Sequence, residues 1–535
     1  MPPSPRSHRA LIMGRNGAVG TNHPAATQVG LDILRAGGNA VDATVAISLA
    51  LGVVEPHMSG LGGDGFYNFY RAGTRLSRVV NATGAAPAAA TPNRFAPRMA
   101  VTGPLSVSVP GKLAGLARLH QAAGSRPWAA LCAPAIALAR EGFAVTHHYR
   151  HFARQHQAEL AADPRSRIRF LHDGAVPDLA ALIVQPELAR TLEEIAADGA
   201  ETFYRGRLAR RLAAGCREVG ALIDEADLAA CAAEEADPIA STYRGFTVTQ
   251  TPSNSTGFVF LQMLKLIERF DIEAMDPDAR IHVMVEAKKL AFLDRERHGA
   301  DPRHHPLPID ALLADSYIDE LFAEIDPDRA SERIIAAPET ESDTTYFCVV
   351  DAGGNAVSAI QSINGAFGSG VTAGDTGILL NNRMAYWHLR AGHPNRLEPG
   401  KRVRHTMNAP MIFKDGTLWG VEGTPGADHQ VQINLQVISA MIDLDYDPQA
   451  AVEMPRWTSS QTGQDANWPH GGDGALTVEP GFGAACLAGL ERRGHRLKRV
   501  GPLEGPCSVQ AIRIAPNGVR MVGSDPRRDG WAAAY

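Results

Sequence analysis

The chain has 535 residues, 45% hydrophobic and 21% charged, which is ordinary globular composition and enough to bury a large core; the length predicts two or more domains. A formal net charge of −6 excludes nucleic acid as a main partner, because phosphate binding needs clustered Lys and Arg and no basic run reverses the balance. Six cysteines without a CxxC pair fit neither a disulfide framework nor a zinc site and read as reduced, structural thiols.

The first residues carry arginine but no apolar core of a secretory signal, and no run of about 18 apolar residues predicts a membrane span. A soluble cytoplasmic protein with no membrane partner is expected. Two helices follow. The first is apolar at Val29, Ile33 and Leu34 and is stopped by Gly37 and Gly38; the second covers about 40–54, ends before Pro56 and is apolar nearly all round, so it should be buried.

GLGGDGF, from Gly60 to Phe66, satisfies the spacing of a dinucleotide-binding GxGxxG. That motif needs a strand before it and a helix after, whereas a helix precedes this one and the strand-like FYNFY follows, so a tight turn packed against backbone is the better reading. Residues from about 105 to 340 read as mainly helical, including ARIHVMVEAKKLAFLDRERHG, which ends at Gly299. His147 and His151 stand four apart in HHYRHF, but the Glu of HExxH and a third ligand are missing, so no metal site is assigned. Beyond Asp343 the texture changes to short β-rich runs separated by turn signals such as DAGGN and KDG, with the helical DHQVQINLQVISAMIDL between them. The chain therefore divides into a helix-rich part, residues 1–343, and a sheet-rich part, residues 344–535.

Thr344 and Thr345 stand at that junction, just before a strand-turn-strand pattern. On its own the pair reads as ordinary β-branched strand residues, since two threonines before a strand are common. Cleavage before Thr344 would give it another role. A threonine hydroxyl is a poor nucleophile at neutral pH, and a free α-amine with a pKa near 8 supplies the base it needs from the same residue.

Six runs in order decide between these readings: GGNAVDA (37–43), EPHMSGLGGDGF (55–66), DTTYFCVVDAGGNAVS (343–358), GSGVTAGDTGILLNN (368–382), GTPGAD (423–428) and the terminal GSDPRRDG. With them the sequence resembles the gamma-glutamyltransferase family of N-terminal-nucleophile hydrolases, from about His23 to the C-terminus. The resemblance implies a four-layer αββα sandwich and a proenzyme that cleaves itself between Asp343 and Thr344. The large and small subunits then stay together. It also implies Thr344 as nucleophile, with Ser362 and Asn364 supporting its hydroxyl and the substrate. Ser362 stands where Thr is usual and keeps the hydroxyl. The family's oxyanion amides map onto Gly426 and Ala427, where Ala replaces a second Gly; the hole survives if the turn needs no positive φ there.

The substrate pocket departs from the family pattern. The arginine that holds a glutamyl α-carboxylate falls on Thr83, the acid that holds the α-amine falls on Tyr386, and a Ser-Ser pair falls on His405 and Thr406. Losing both charged anchors weakens glutamyl recognition, since truncating a buried charged partner costs about 2 to 5 kcal/mol. Arg383, Arg402, Arg404 and His405 remain nearby, and arginine binds carboxylates in a bidentate way. The resulting expectation is a threonine amidohydrolase or acyltransferase acting on a small-molecule, carboxylate-bearing amide whose acid lacks an α-amine, as in the branches that act on oxamate or glutaryl-cephalosporins. A glutathione-cleaving enzyme with a rebuilt pocket and an inactive binding homologue are the alternatives. No metal or organic cofactor is called for, and a homo-oligomer is compatible with the sequence.

Overall fold

A computed structural model describes residues 7–331, 344–460 and 474–535; Asp343 lies outside the described residues. Two seven-stranded sheets dominate. The first runs, from one edge to the other, through Trp531–Ala534, Ala18–Thr21, Thr345–Val350, Ala356–Ser362, Asp64–Arg71, Leu76–Ala82 and Glu234–Ala236. The second runs through Ile12–Gly14, Arg520–Ser524, Gln510–Ile514, Thr417–Gly423, Met411–Lys414, Phe246–Gln250 and Ile239–Tyr243. Every pairing within both sheets is antiparallel.

Side-chain alternation shows how the layers stack. In Thr345–Val350, Tyr346, Cys348 and Val350 enter a core shared with Met411, Val421, Ile512 and Val522 of the second sheet. Phe347 and Val349 of the same strand pack with the helix Ala40–Val54 on the outer side. Val248, Ile412 and Ala511 of the second sheet face the helices Gly257–Ile267, Pro277–His298 and His429–Ile442. Sheet packs on sheet and helices cover both outer faces, which is the αββα sandwich expected.

The two N-terminal helices form at Pro24–Arg35 and Ala40–Val54, the second with an Asn39 and Asp42 capping box and every residue buried. The division into a helix-rich and a sheet-rich part does not describe the layers. Four strands of the first sheet and three of the second precede Thr344, so each sheet mixes strands from both sides of that residue. Sequence reading passed over Glu234–Ala236, Ile239–Tyr243 and Phe246–Gln250 inside the region assigned to helices. The first two are edge strands, partly open to solvent, and their polar residues hide the apolar alternation. None of the described helices is long and apolar enough to cross a membrane.

Candidate active site

Strand register assembles the site. Thr345 pairs with Gln361, and Ser362 pairs with Asp64, so Thr344, Ser362 and Asp64 fall in one row across three adjacent strands at one end of the first sheet. The row shares its face with Tyr346, Ile360 and Phe66, which point between the sheets. Thr344 is buried, and its Oγ donates to Ser362 Oγ at 3.3 Å. Ser362 Oγ in turn accepts the Asn364 N–H at 2.7 Å. Thr345, one residue on, points to the other face and donates to Glu55 Oε2 at 2.7 Å, which fixes the start of the strand.

Asn364 adopts φ +82°, a left-handed conformation that asparagine tolerates better than most residues. Its Oδ1 accepts from Arg383 Nη1 at 3.0 Å. Arg383 is buried, its guanidinium lies 5.3 Å from the centre of the Tyr386 ring, and its Nε is 3.5 Å from Asp64 Oδ2. Nη2 has no hydrogen-bond partner among the described residues. Asp64 Oδ1 accepts the Gly84 N–H at 2.9 Å, which brings Thr83 to the site. Thr83 Oγ donates to Asn81 Oδ1 at 2.6 Å, and Asn81 Nδ2 donates to Asn254 Oδ1 at 2.9 Å. Asn254 receives the His405 N–H on its backbone carbonyl at 2.8 Å, and His405 Nε2 stands 3.9 Å from Asp64 Oδ2.

The electrostatics follow from burial. Asp64 is pushed up to about 6 by loss of solvent, with the Arg383 charge and the Gly84 and Gly111 N–H groups pulling the other way. Burial, then the charges of Arg383 and Arg402, hold His405 well below the usual histidine range, so its ring is neutral. Burial also lowers Arg383, opposed by Asp64 and Tyr386.

Four of the six expected substrate-side residues, Arg383, Tyr386, Thr83 and His405, thus meet around Asp64. Arg404 does not join them: its Nη1 is 3.0 Å from Glu296 Oε1, and Glu296 also holds Arg295 at 3.1 Å. Arg402 pairs with Glu234 at 2.7 Å. Thr406 is buried beside His405 and its carbonyl accepts from Asn408 Nδ2 at 2.7 Å. Asp64 and Asn254 escaped sequence reading; the one available signal was a carboxylate set in an otherwise apolar glycine turn. That turn is tight: a Cβ on Gly62 would stand 2.2 Å from the Leu379 carbonyl oxygen, and one on Gly63 2.3 Å from that of Ser362.

Gly426 and Ala427 follow the strand Thr417–Gly423, whose last residue lies against the Tyr346 ring, two residues from Thr344. Ala427 has φ +47°, so the turn does require positive φ, and alanine adopts it. The Gly426 and Ala427 carbonyls accept from His429 and Gln430, while their own N–H groups donate to no described residue. They stand at the N-terminal end of the helix His429–Ile442, where partial positive charge favours an oxyanion. Arg295 pairs with the adjoining Asp428 at 2.5 Å and ties the turn to the helix Pro277–His298.

Two groups of metal-ligating residue types come together among the described residues: His282 with Glu286 and His495, and Glu296 with His388 and His393. In the first, His282 Nδ1 and His495 Nε2 are hydrogen-bonded to each other at 2.8 Å and Lys289 holds Glu286 at 2.7 Å. In the second, Glu296 is engaged by Arg295 and Arg404. His147 and His151 belong to neither.

A family model described as gamma-glutamyltranspeptidase matches residues 26–535. The chain is similar to the glutathione hydrolase-like YwrD proenzyme of Bacillus subtilis, with 36% identity over 97% of this chain and 99% of that one. It is 35% identical to the oxamate amidohydrolase proenzyme of Klebsiella pneumoniae, over 99% of this chain and 100% of that one. The fold is similar to the crystal structure of cephalosporin acylase from Bacillus halodurans, with a TM-score of 0.90, 33% identity, and coverage of 100% and 98%.

Proposed function

Because the chain belongs to the gamma-glutamyltranspeptidase family, we propose that it is a proenzyme that cleaves itself between Asp343 and Thr344 and then hydrolyses a carboxylate-bearing amide through an acyl-enzyme on Thr344. The observation that carries this reading is the chain of contacts from Thr344 Oγ through Ser362 and Asn364 to Arg383, which links the nucleophile to a buried guanidinium with N–H groups to spare.

The new α-amine of Thr344 takes the Oγ proton as Oγ attacks the amide carbonyl. Charge that develops on the carbonyl oxygen is met by the N–H groups of Gly426 and Ala427. The tetrahedral intermediate collapses, the leaving amine receives the proton, and water attacks the ester in the same geometry to release the acid. Ser362 keeps the Thr344 hydroxyl aimed, and Arg383 holds the carboxylate of the acyl group, with Tyr386 under the guanidinium and His405 and Thr83 lining the same pocket. Arg404, turned towards Glu296, and Thr406 act on the shape of the segment that carries His405. The enzyme comprises a large subunit, residues 1–343, and a small subunit, residues 344–535. All six cysteines are free, which favours a reducing compartment and a cytoplasmic location.

Intact mass after expression tests the first half: two fragments that meet between Asp343 and Thr344 are expected, and Thr344→Ala should stay as one 57.1 kDa chain. Turnover of a dicarboxylic acid monoamide set against glutathione tests the second. Selective turnover of glutathione would overturn the substrate assignment and return the protein to glutathione metabolism. An unprocessed wild-type chain that turns over neither substrate would favour a binding role.

A further inference from the structure

Arg383 faces two claimants. Its Nη1 is committed to Asn364, one face lies over Tyr386, and Nη2 is buried without a hydrogen-bond partner among the described residues. A substrate carboxylate must therefore approach the edge formed by Nε and Nη2. Asp64 Oδ2 already stands 3.5 Å from Nε on that edge, too long and misaligned for a well-formed hydrogen bond, and has no other hydrogen-bond partner among the described residues. Both carboxylates would share one guanidinium in a pocket with no exposure at Asp64.

We propose that binding of the acyl carboxylate at Arg383 takes up one proton, and that Asp64 is the residue that holds it. The proposal rests on the reading of Arg383 as the carboxylate anchor. Two like charges within a few ångströms of each other in a buried site cannot both stay ionised at low cost, so one takes a proton. Asp64 is the candidate for geometric reasons. Its Oδ1 keeps the Gly84 N–H in either protonation state, and a proton on Oδ2 converts it from a competitor into a donor to the incoming carboxylate. The other groups around it are not placed to compensate. His405 is neutral; Tyr67, Tyr204 and Cys231, which feel the Asp64 charge, are held protonated by burial. Arg402, whose charge reaches His405, is already paired with Glu234. Burial pushes Asp64 up to about 6, so the uptake falls in an accessible range.

The sign is fixed. Below about pH 6 Asp64 is already protonated and binding is insensitive to pH; above it, affinity should fall about tenfold per pH unit. The test uses the mature enzyme and glutarate, a simple dicarboxylate, as a competitive inhibitor between pH 6 and 8.5. The inhibition constant is expected to rise with a slope near one. Calorimetry at pH 8 in two buffers of different ionisation enthalpy should register uptake of about one proton per site. Asp64→Asn should flatten the profile and bind glutarate about 100-fold more tightly than wild type at pH 8, the gain expected from removing two pH units of linkage. A flat wild-type profile without proton uptake overturns the proposal, and so does a sloping profile in Asp64→Asn. Glutarate binding that is equal in wild type and Arg383→Gln overturns the anchor itself, a distinct failure. The proton count needs no variant and stands even if Asp64→Asn does not fold.

Discussion

At the scale of single residues, Ala427 and Lys112 each carry a conformation or a charge that their chemistry disfavours. Ala427 sits at φ +47°, where a Cβ costs about 1 kcal/mol, and its amide is one of the two proposed to hold the oxyanion. Ala427→Gly should raise the urea midpoint of the protein, by about 1 kcal/mol in free energy, and leave kcat within a few fold. A large loss of kcat would mean that the methyl group, not only the amide, shapes the turn. Lys112 is wholly buried, with Nζ donating to Ser48 O at 2.9 Å and Ser59 Oγ at 3.3 Å, and burial pulls it down from 10.5 to about 7. Between those pH values the unfolded chain binds more protons than the folded one, so stability rises with pH; below about pH 7 the full cost of a buried ammonium is present. Lys112→Met should therefore stabilise most at pH 6 to 7, on the order of 3 kcal/mol, and the gain should fade towards pH 10. Gln361 Nε2 already donates to both Ser48 O and Ser59 Oγ, so the substitution strands neither acceptor. Urea midpoints across that range check it; a gain that does not vary with pH would rule out the charge as the cause.

Among elements, the GLGGDGF turn decides how the strand Thr345–Val350 meets the row of Ser362 and Asp64. Gly63 passes so close to Ser362 that a methyl group would stand 2.3 Å from its carbonyl oxygen, and backbone cannot swing aside as a side chain can. Gly63→Ala should part the strands that carry Ser362 and Asp64, with a loss above about 3 kcal/mol. Processing between Asp343 and Thr344 should slow or stop even where the chain stays folded. Full processing at the wild-type rate would show that the row of Thr344, Ser362 and Asp64 tolerates displacement. The tightness of this turn was legible from the helix before it and the strand after it. The part played by its aspartate was not. Asp64 acquires meaning from Arg383 and His405, more than 300 positions away, and one sequence without that pairing shows only a polar residue among glycines. The same limit separates Arg383 from Arg404: both stood in candidate motifs, and only the position of Glu296 reveals which of them is already engaged. Local signals sufficed for Ala40–Val54 and for the hairpins after Thr344, whose periodicity and turn residues are self-contained.

Over the whole molecule, cleavage before Thr344 would cut a chain whose sheets are already interleaved. Thr345–Val350 lies between Ala18–Thr21 on one side and Ala356–Ser362 on the other, so the new N-terminal strand pairs directly with the large subunit. The C-terminal strand Trp531–Ala534 pairs with the other edge of Ala18–Thr21, which leaves a large-subunit strand enclosed by two from the small subunit. In the second sheet, Met411–Lys414 pairs with Phe246–Gln250, and Arg520–Ser524 with Ile12–Gly14. The inter-sheet core likewise mixes Phe66 and Val79 with Tyr346, Val421 and Ile512. Separation would expose that core and open strand pairings in both sheets at once, a penalty of the same kind as unfolding. The fragments are therefore expected to co-elute through gel filtration in 1 M salt, which screens surface charge but leaves apolar burial intact. They should part only at the denaturant concentration where helical circular dichroism is lost. Dissociation well before that loss would mean that each fragment holds a fold of its own, and the chain would then be two domains divided at Thr344.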